Sequence, residues 1–253
     1  VTTPIPVVGA RTAGELADGH ASAVREMFDR IAPTYDVGNR VLTAGLDAAW
    51  RQKAIDALSW DPRPPGGPSL DLCAGTLDLT LLLGRARPLH RLIAADFSEP
   101  MLLLGRAKVP RAERVVADAQ ALPFEDGSMA AVVCGFGIRN VADPERAIRE
   151  VVRVLIPGGV FVTLDFFRPT RPVNRLLHGA VLSHLLPAVG GLLSGDRAAY
   201  AYLARSMDGF YSREEYERAL AQAGFRAVRS EELALGVASV VRGVRGTFEG
   251  ATS

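Results

Sequence analysis

The chain has 253 residues, 48% of them apolar, which is enough for one sizeable core and long for two independent ones. Its 29 Lys and Arg nearly balance 28 Asp and Glu, which excludes a global positive field that would draw it onto nucleic acid. Cys73 and Cys134 give no disulfide framework and favour a reducing compartment, and residues 1–17 lack the basic and apolar regions of a secretion signal.

Residues 21–31 and 44–58 show helical spacing, with Val24, Met27, Phe28 and Ile31 on one face. The Pro/Gly-rich run 61–68 ends this helical region and introduces 69–73, a strand by its length and flanks. Strands are then expected at 91–96, 113–117, 130–135 and 159–166, alternating with helices at 98–108 and 144–155. That order predicts a doubly wound, Rossmann-like α/β fold with a mostly parallel sheet. A helix follows at 212–223, where Gly224 fits a C-terminal stop. The runs 225–233 and 236–243 have no helix between them, so they must pair antiparallel, as a C-terminal hairpin. One domain is expected over 1–253, with a helical N-terminal lid at 18–60 and an irregular insertion at 168–208. Residues 173–193 are rich in Leu, but Asn174, Arg175, His178, His184 and Pro187 interrupt them, and no spanning helix is expected there.

Three strand ends carry chemistry. The segment from Asp71 through Ala74, Gly75 and Thr76 turns from a strand into an apolar helix, a place where a ligand can approach the backbone closely. A ligand-free tight turn is the alternative. Asp96 ends the next strand, about 20 residues beyond Gly75, where a carboxylate can accept both hydroxyls of a ribose. The alternative is a helix cap. Asp118 and Ala119 follow the third strand, where a carboxylate can accept from an adenine amine, or where the segment is simply a polar loop. Together the three point to a nucleoside-containing ligand.

These segments, with 153–159, resemble the S-adenosylmethionine-binding methyltransferases. Phe28 to Asp36, Asn39, Trp50-Arg51, Ala74-Gly75-Thr76 and above all Phe136-Gly137-Ile138-Arg139-Asn140-Val141 resemble, more narrowly, the menaquinone and ubiquinone C-methyltransferases. The resemblance spans roughly 24–244. It implies S-adenosylmethionine as cofactor, on Asp71, Ala74, Gly75, Thr76, Asp96, Phe97, Asp118, Ala119 and Gly135. It also implies a prenylated quinol as substrate, a cytoplasmic enzyme with peripheral contact to the inner face of a membrane, and a homodimer. Other readings are a methyltransferase of another small aromatic metabolite and a cofactor-binding protein without turnover.

The resemblance makes Arg139 and Asn140 substrate-facing and catalytic. A cation there would stabilise an ionised ring oxygen and so enrich the neighbouring carbon. Their alternative is a structural Arg–carboxylate pair and an Asn turn. Arg139 is not expected to accept a proton, because guanidinium stays protonated. Tyr35, Asp165 and His184 are expected at the substrate, where each could hold a water; the alternatives are that Tyr35 and Asp36 merely fix the N-terminal lid and that His184 is surface or core filler. The family usually has Gly where this chain has Leu77, so the Leu77 side chain is expected to crowd the methionine end of the cofactor. Leu176, Leu177, Val181, Leu182, Leu185 and Leu186 recur at three- and four-residue spacing. They suit an isoprenoid tail or a bilayer, or else a core helix or dimer interface.

Overall fold

A computed structural model describes residues 19–170, 202, 206, 207 and 209–246. The N-terminal region is three helices, α1 (Gly19–Ile31), α2 (Tyr35–Leu42) and α3 (Leu46–Asp56), followed by a 3-10 turn at Ala57–Ser59. Then come β1 (Ser69–Leu72), α4 (Asp78–Ala86), β2 (Leu92–Asp96), α5 (Glu99–Gly105), β3 (Glu113–Val116) and β4 (Met129–Gly135). The chain continues through α6 (Pro144–Val154), β5 (Leu155–Asp165), α7 (Arg213–Gln222), β6 (Phe225–Leu233) and β7 (Ala238–Arg245).

The strands lie in the order β3-β2-β1-β4-β5-β7-β6. The first five run parallel, with Leu72 opposite Ala95 of β2 and Cys134 of β4. β7 runs antiparallel to both β5 and β6, as the missing crossover helix requires. The chain winds outward in opposite senses from β1 and β4, which opens a crevice at their carboxyl ends.

Strand alternation divides the core between the two faces. Ala131 and Val133 of β4 pack with Trp50, Ala54 and Ile55 of α3 and with Leu79 and Leu83 of α4. Val132 and Cys134 face the other way, toward Ile148 and Val151 of α6 and Tyr216 and Leu220 of α7. The predicted apolar face of α1 is the buried one: Val24, Met27, Phe28 and Ile31 close on Met101 of α5. Helix ends follow their caps. Asp143 accepts from the Arg146 amide at the start of α6, and Ser212 and Glu215 form a reciprocal capping box on α7.

The helix expected at 98–108 is α5 and ends at Gly105, and three further elements differ from the sequence reading. α2 was not marked by periodicity, since it is only eight residues long and Val37 and Val41 are exposed; Tyr35 and Leu42, on either side of the buried Gly38, pack against the α1 cluster. β5 begins at Leu155, four residues early, because the turn containing Gly158 (φ 75°) is taken up as a bulge between the Met129–Leu155 and Ala131–Val160 pairs. β7 begins only after a 3-10 turn at Ala234–Gly236. Most of the insertion 168–208, with His184 and the leucines at 176–186, lies outside the described residues. Among the described residues no helix is long and apolar enough to cross a membrane.

Candidate active site

The loop after β1 is drawn onto the end of β2. Gly75, at φ 51°, donates its amide to Asp96 Oδ2 at 2.8 Å, and Ser98 donates its amide to Oδ1 at 2.9 Å. Ala74 donates to the Ala95 carbonyl. Burial lifts the Asp96 carboxyl to about 6, against the pull of these amide donors. Asp96 is not the cap of α5: Ser98 is, its hydroxyl accepting from the Met101 amide at 3.3 Å, and each Asp96 oxygen retains acceptor capacity for a further donor. Asp71, at the foot of the loop, is wholly buried. Its Oδ2 accepts from the Thr80 hydroxyl at 2.6 Å, while its Oδ1 has no hydrogen-bond partner.

At the end of β3, Asp118 accepts from the Gln120 amide at 2.9 Å and from its side-chain amide, and Ala119 is buried beside it. The Phe97 ring meets Phe28 edge-on at 5.9 Å. Gly135 closes β4, and a side chain there would come to 3.1 Å from Leu79. Leu77 is a correction. In the left-handed conformation (φ 68°) it is fully buried, and its Cδ1 fills the space beside Gly105, so the side chain belongs to the apolar layer under the loop and does not crowd its outer surface.

The segment after β4 gathers the other candidates. Arg139 NH1 donates to Asp165 Oδ1 at 2.5 Å and to the Phe136 carbonyl at 2.7 Å, and the Arg139 amide donates to Asp165 Oδ2 at 3.3 Å. Asn140 donates to the same Phe136 carbonyl at 3.2 Å, while its Oδ1 is buried with no partner. Asp165 is fully buried and also accepts from the Phe166 amide, so its oxygens face Arg139 and the backbone rather than open space. Burial pushes its carboxyl up, and the Arg139 charge opposes the rise. Gly137 is required for closeness alone: a Cβ there would lie 2.2 Å from Cys73 Cβ, where the ends of β1 and β4 converge.

Tyr35 joins the two halves. A Cβ on Gly75 would stand 3.9 Å from its ring, and the ring meets Phe28 edge-on at 6.0 Å. Burial raises its hydroxyl above the ordinary tyrosine value, opposed by Asn39, Arg139 and Arg51, with Asp96 adding to the rise. The lid is tied to the loop through Asp36, as the lid-fixing alternative expected, together with Lys108, Asp78 and Asp29, to which the sequence reading gave no role. Asp36 accepts from the Thr76 hydroxyl and pairs with Lys108 at 2.6 Å, and Lys108 pairs with Asp78 at 2.6 Å. Asp29 accepts from the Ser98 hydroxyl. Burial alone would lower the Lys108 ammonium, but the two carboxylates hold it above its ordinary value. Arg51 stood inside a quoted motif and could have been flagged there; nothing in the sequence singled out Lys108.

A model of the ubiE/COQ5 methyltransferase family matches residues 16–245. The chain belongs to that family. Among relatives of this methyltransferase, the demethylmenaquinone methyltransferase of Thermus thermophilus is 43% identical over 224 residues, covering 87% of this chain and all of that one. The ubiquinone/menaquinone biosynthesis C-methyltransferase UbiE of Geobacter sulfurreducens is 38% identical and covers 88% of each. The fold matches a SAM-dependent methyltransferase from Thermotoga maritima, a possible histamine N-methyltransferase, with a TM-score of 0.64 at 20% identity over 88% of this chain and 99% of that one. It also matches a phosphoethanolamine N-methyltransferase of Haemonchus contortus in complex with S-adenosyl-L-methionine, with a TM-score of 0.57 at 15% identity, over 78% and 52% of the two chains.

Proposed function

We propose that this methyltransferase moves a methyl group from S-adenosylmethionine to a ring carbon of a prenylated quinol, with a demethylmenaquinol-like substrate favoured. The observation that carries the reading is the Arg139 guanidinium, fixed by Asp165 and the Phe136 carbonyl beside the convergence of β1 and β4. The names of the relatives point to the same substrate class.

The residues present fit the cofactor. Asp96 would take the ribose hydroxyls, Asp118 and Ala119 the adenine edge and face, and the loop at Ala74, Gly75 and Thr76 the methionine end. S-adenosylmethionine would supply an electrophilic methyl whose bond to the sulfonium sulfur breaks to release a neutral thioether, already a good leaving group. The protein's work is therefore orientation and charge. Arg139 stabilises a ring oxygen whose proton has been lost to water, which enriches the adjacent carbon; that carbon loses its own proton to water once the methyl is bound, and Arg139 remains a cation throughout. Asn140 Oδ1, the unpartnered acceptor beside it, takes a donor from the substrate. Tyr35, kept neutral by its raised value, donates from the lid side. Asp165 acts on Arg139 rather than on substrate. In the sequence, the leucines at 176–186 are the apolar residues that would receive the tail.

Incubation with labelled methyl donor and a lipid extract lacking the final quinone methylation, followed by mass analysis of the product, tests the reading. A methyl group on carbon is expected. A methyl on oxygen, or none, overturns it.

A further inference from the structure

A chain of side-chain contacts runs from the N-terminal lid to Arg139. Arg51 Cζ of α3 lies 5.5 Å from the centroid of the Phe136 ring. The Phe136 and Phe166 rings are 5.0 Å apart and tilted by 30°. Arg139 Cζ lies 5.3 Å from the centroid of Phe166. Trp50, beside Arg51, closes on both rings at 6.4 and 6.1 Å.

Both ends of this chain are tethered. Arg51 is paired with Asp47 one turn earlier and reaches Asp78, in the first turn of α4, at 3.9 Å. Arg139 is held by Asp165. The middle is strained: Phe136 sits at φ 59°, a conformation that a bulky L-residue keeps only where its surroundings over-determine it. From there its carbonyl receives both Arg139 and Asn140, and its ring receives Arg51. The Arg139 side chain has one strong anchor, at NH1, while its Nε is buried without a partner. The two bonds at NH1 orient one end of the guanidinium, and the face of Phe166 supports the rest of its plane, where Nε makes no bond.

We propose that Arg51 is a positioning residue for the Arg139 guanidinium, acting through the Phe136–Phe166 ring pair, so that seating of the lid against α4 sets the substrate-facing cation. The inference rests on the reading of Arg139 given above. A cation over one ring and a cation over the other orient both rings through their negative faces, and loss of either cation or of a ring face loosens the set.

The test measures kcat and KM for a short-tailed demethylmenaquinol analogue, with S-adenosylmethionine affinity followed by calorimetry. Arg51→Met and Phe166→Leu are each made alone and together with Arg139→Lys. Phe166→Leu leaves the Arg51 pairs to Asp47 and Asp78 in place, so the question stays open to test if Arg51→Met fails to fold. Each single change is expected to lower kcat about tenfold, with KM held within about twofold. In the Arg139→Lys background the same change should cost less than about twofold, because the plane it fixed is already gone. Arg51→Lys and Phe166→Tyr, which keep the cation and the ring face, should restore most of the rate. Losses of equal size in both backgrounds would overturn the inference while leaving the role of Arg139 intact. Unchanged turnover in Arg139→Lys alone would instead overturn the reading of Arg139 itself, and the inference with it.

Discussion

Asp165 accepts from Arg139 twice, from the guanidinium at 2.5 Å and from the backbone amide at 3.3 Å. The side chains are 5% and 0% exposed, so neither charge is appreciably hydrated if the other is removed. Breaking such a pair from one side costs about 3–5 kcal/mol, more than the pair contributes over an apolar replacement. Asp165→Ala should therefore lower unfolding stability by that amount in denaturant titrations. The double change Asp165→Leu with Arg139→Met should recover most of the stability while remaining inactive. A double variant as unstable as the single one would show that the pair holds the fold by something other than charge compensation.

Asp71 sets a pH dependence. Burial lifts its carboxyl to about 7, with Thr80 opposing and the nearby Asp96 adding to the rise. The unfolded chain titrates near 3.8, so between the two values the folded state holds the proton that the unfolded state has lost. Stability from this group is complete below about 4 and is lost as pH rises through about 7. Asp71→Asn removes that loss. Without cofactor, its unfolding midpoint should match the parent protein at the acid end and exceed it increasingly up to about pH 7, then hold a constant lead. A lead that is the same at every pH would mean that Asp71 does not titrate in this window.

Asp96→Ala removes the acceptor of two loop amides and of the proposed ribose hydroxyls. S-adenosylmethionine binding should weaken by about 1.5–3 kcal/mol, as for bonds to a charged group. Isothermal titration reads the change directly, and circular dichroism controls for the freed loop. Unchanged affinity in a folded variant would remove Asp96 from the cofactor site.

The sheet was legible because its strands are short apolar runs bounded by turns, and the antiparallel pair because no helix intervenes between 225–233 and 236–243. Asp96 and Asp118 were legible for the same reason, since a polar residue after a strand run sits at the carboxyl end of the sheet, whereas Asp71 stands inside β1, wholly buried between β2 and β4. What escaped was everything set by side chains far apart in sequence. The Lys108 bridge spans 72 residues to Asp36 and 30 to Asp78, and no local pattern marks such a contact. Phe136 stood in the most specific part of the resemblance and Phe166 closed an expected strand, but a left-handed φ and a contact between their rings leave no trace in spacing. Leu77 was read from the wrong side. Its place in a loop pattern suggested a side chain at the ligand, but the left-handed backbone turns it inward against Gly105.

That orientation makes Leu77 the sharpest test of the loop. Its backbone at φ 68°, ψ 21° costs an L-residue about 1–2 kcal/mol relative to glycine. Its fully buried side chain contributes more, since truncating a buried leucine costs about 2–5 kcal/mol. Burial therefore outweighs strain, and both Leu77→Ala and Leu77→Gly should destabilise the protein. Their difference isolates the backbone term. Alanine keeps the strain and loses the packing, whereas glycine loses the same packing and relieves the strain. Leu77→Gly should thus be the more stable of the two by about 1 kcal/mol, in spite of the greater flexibility of its unfolded chain. Affinity for S-adenosylmethionine should stay within about twofold of the parent protein in both, because the side chain faces Gly105 and not the ligand surface. Marked tightening of binding in Leu77→Gly, absent in Leu77→Ala, would show instead that the loop backbone is held away from the cofactor by the residue at this turn.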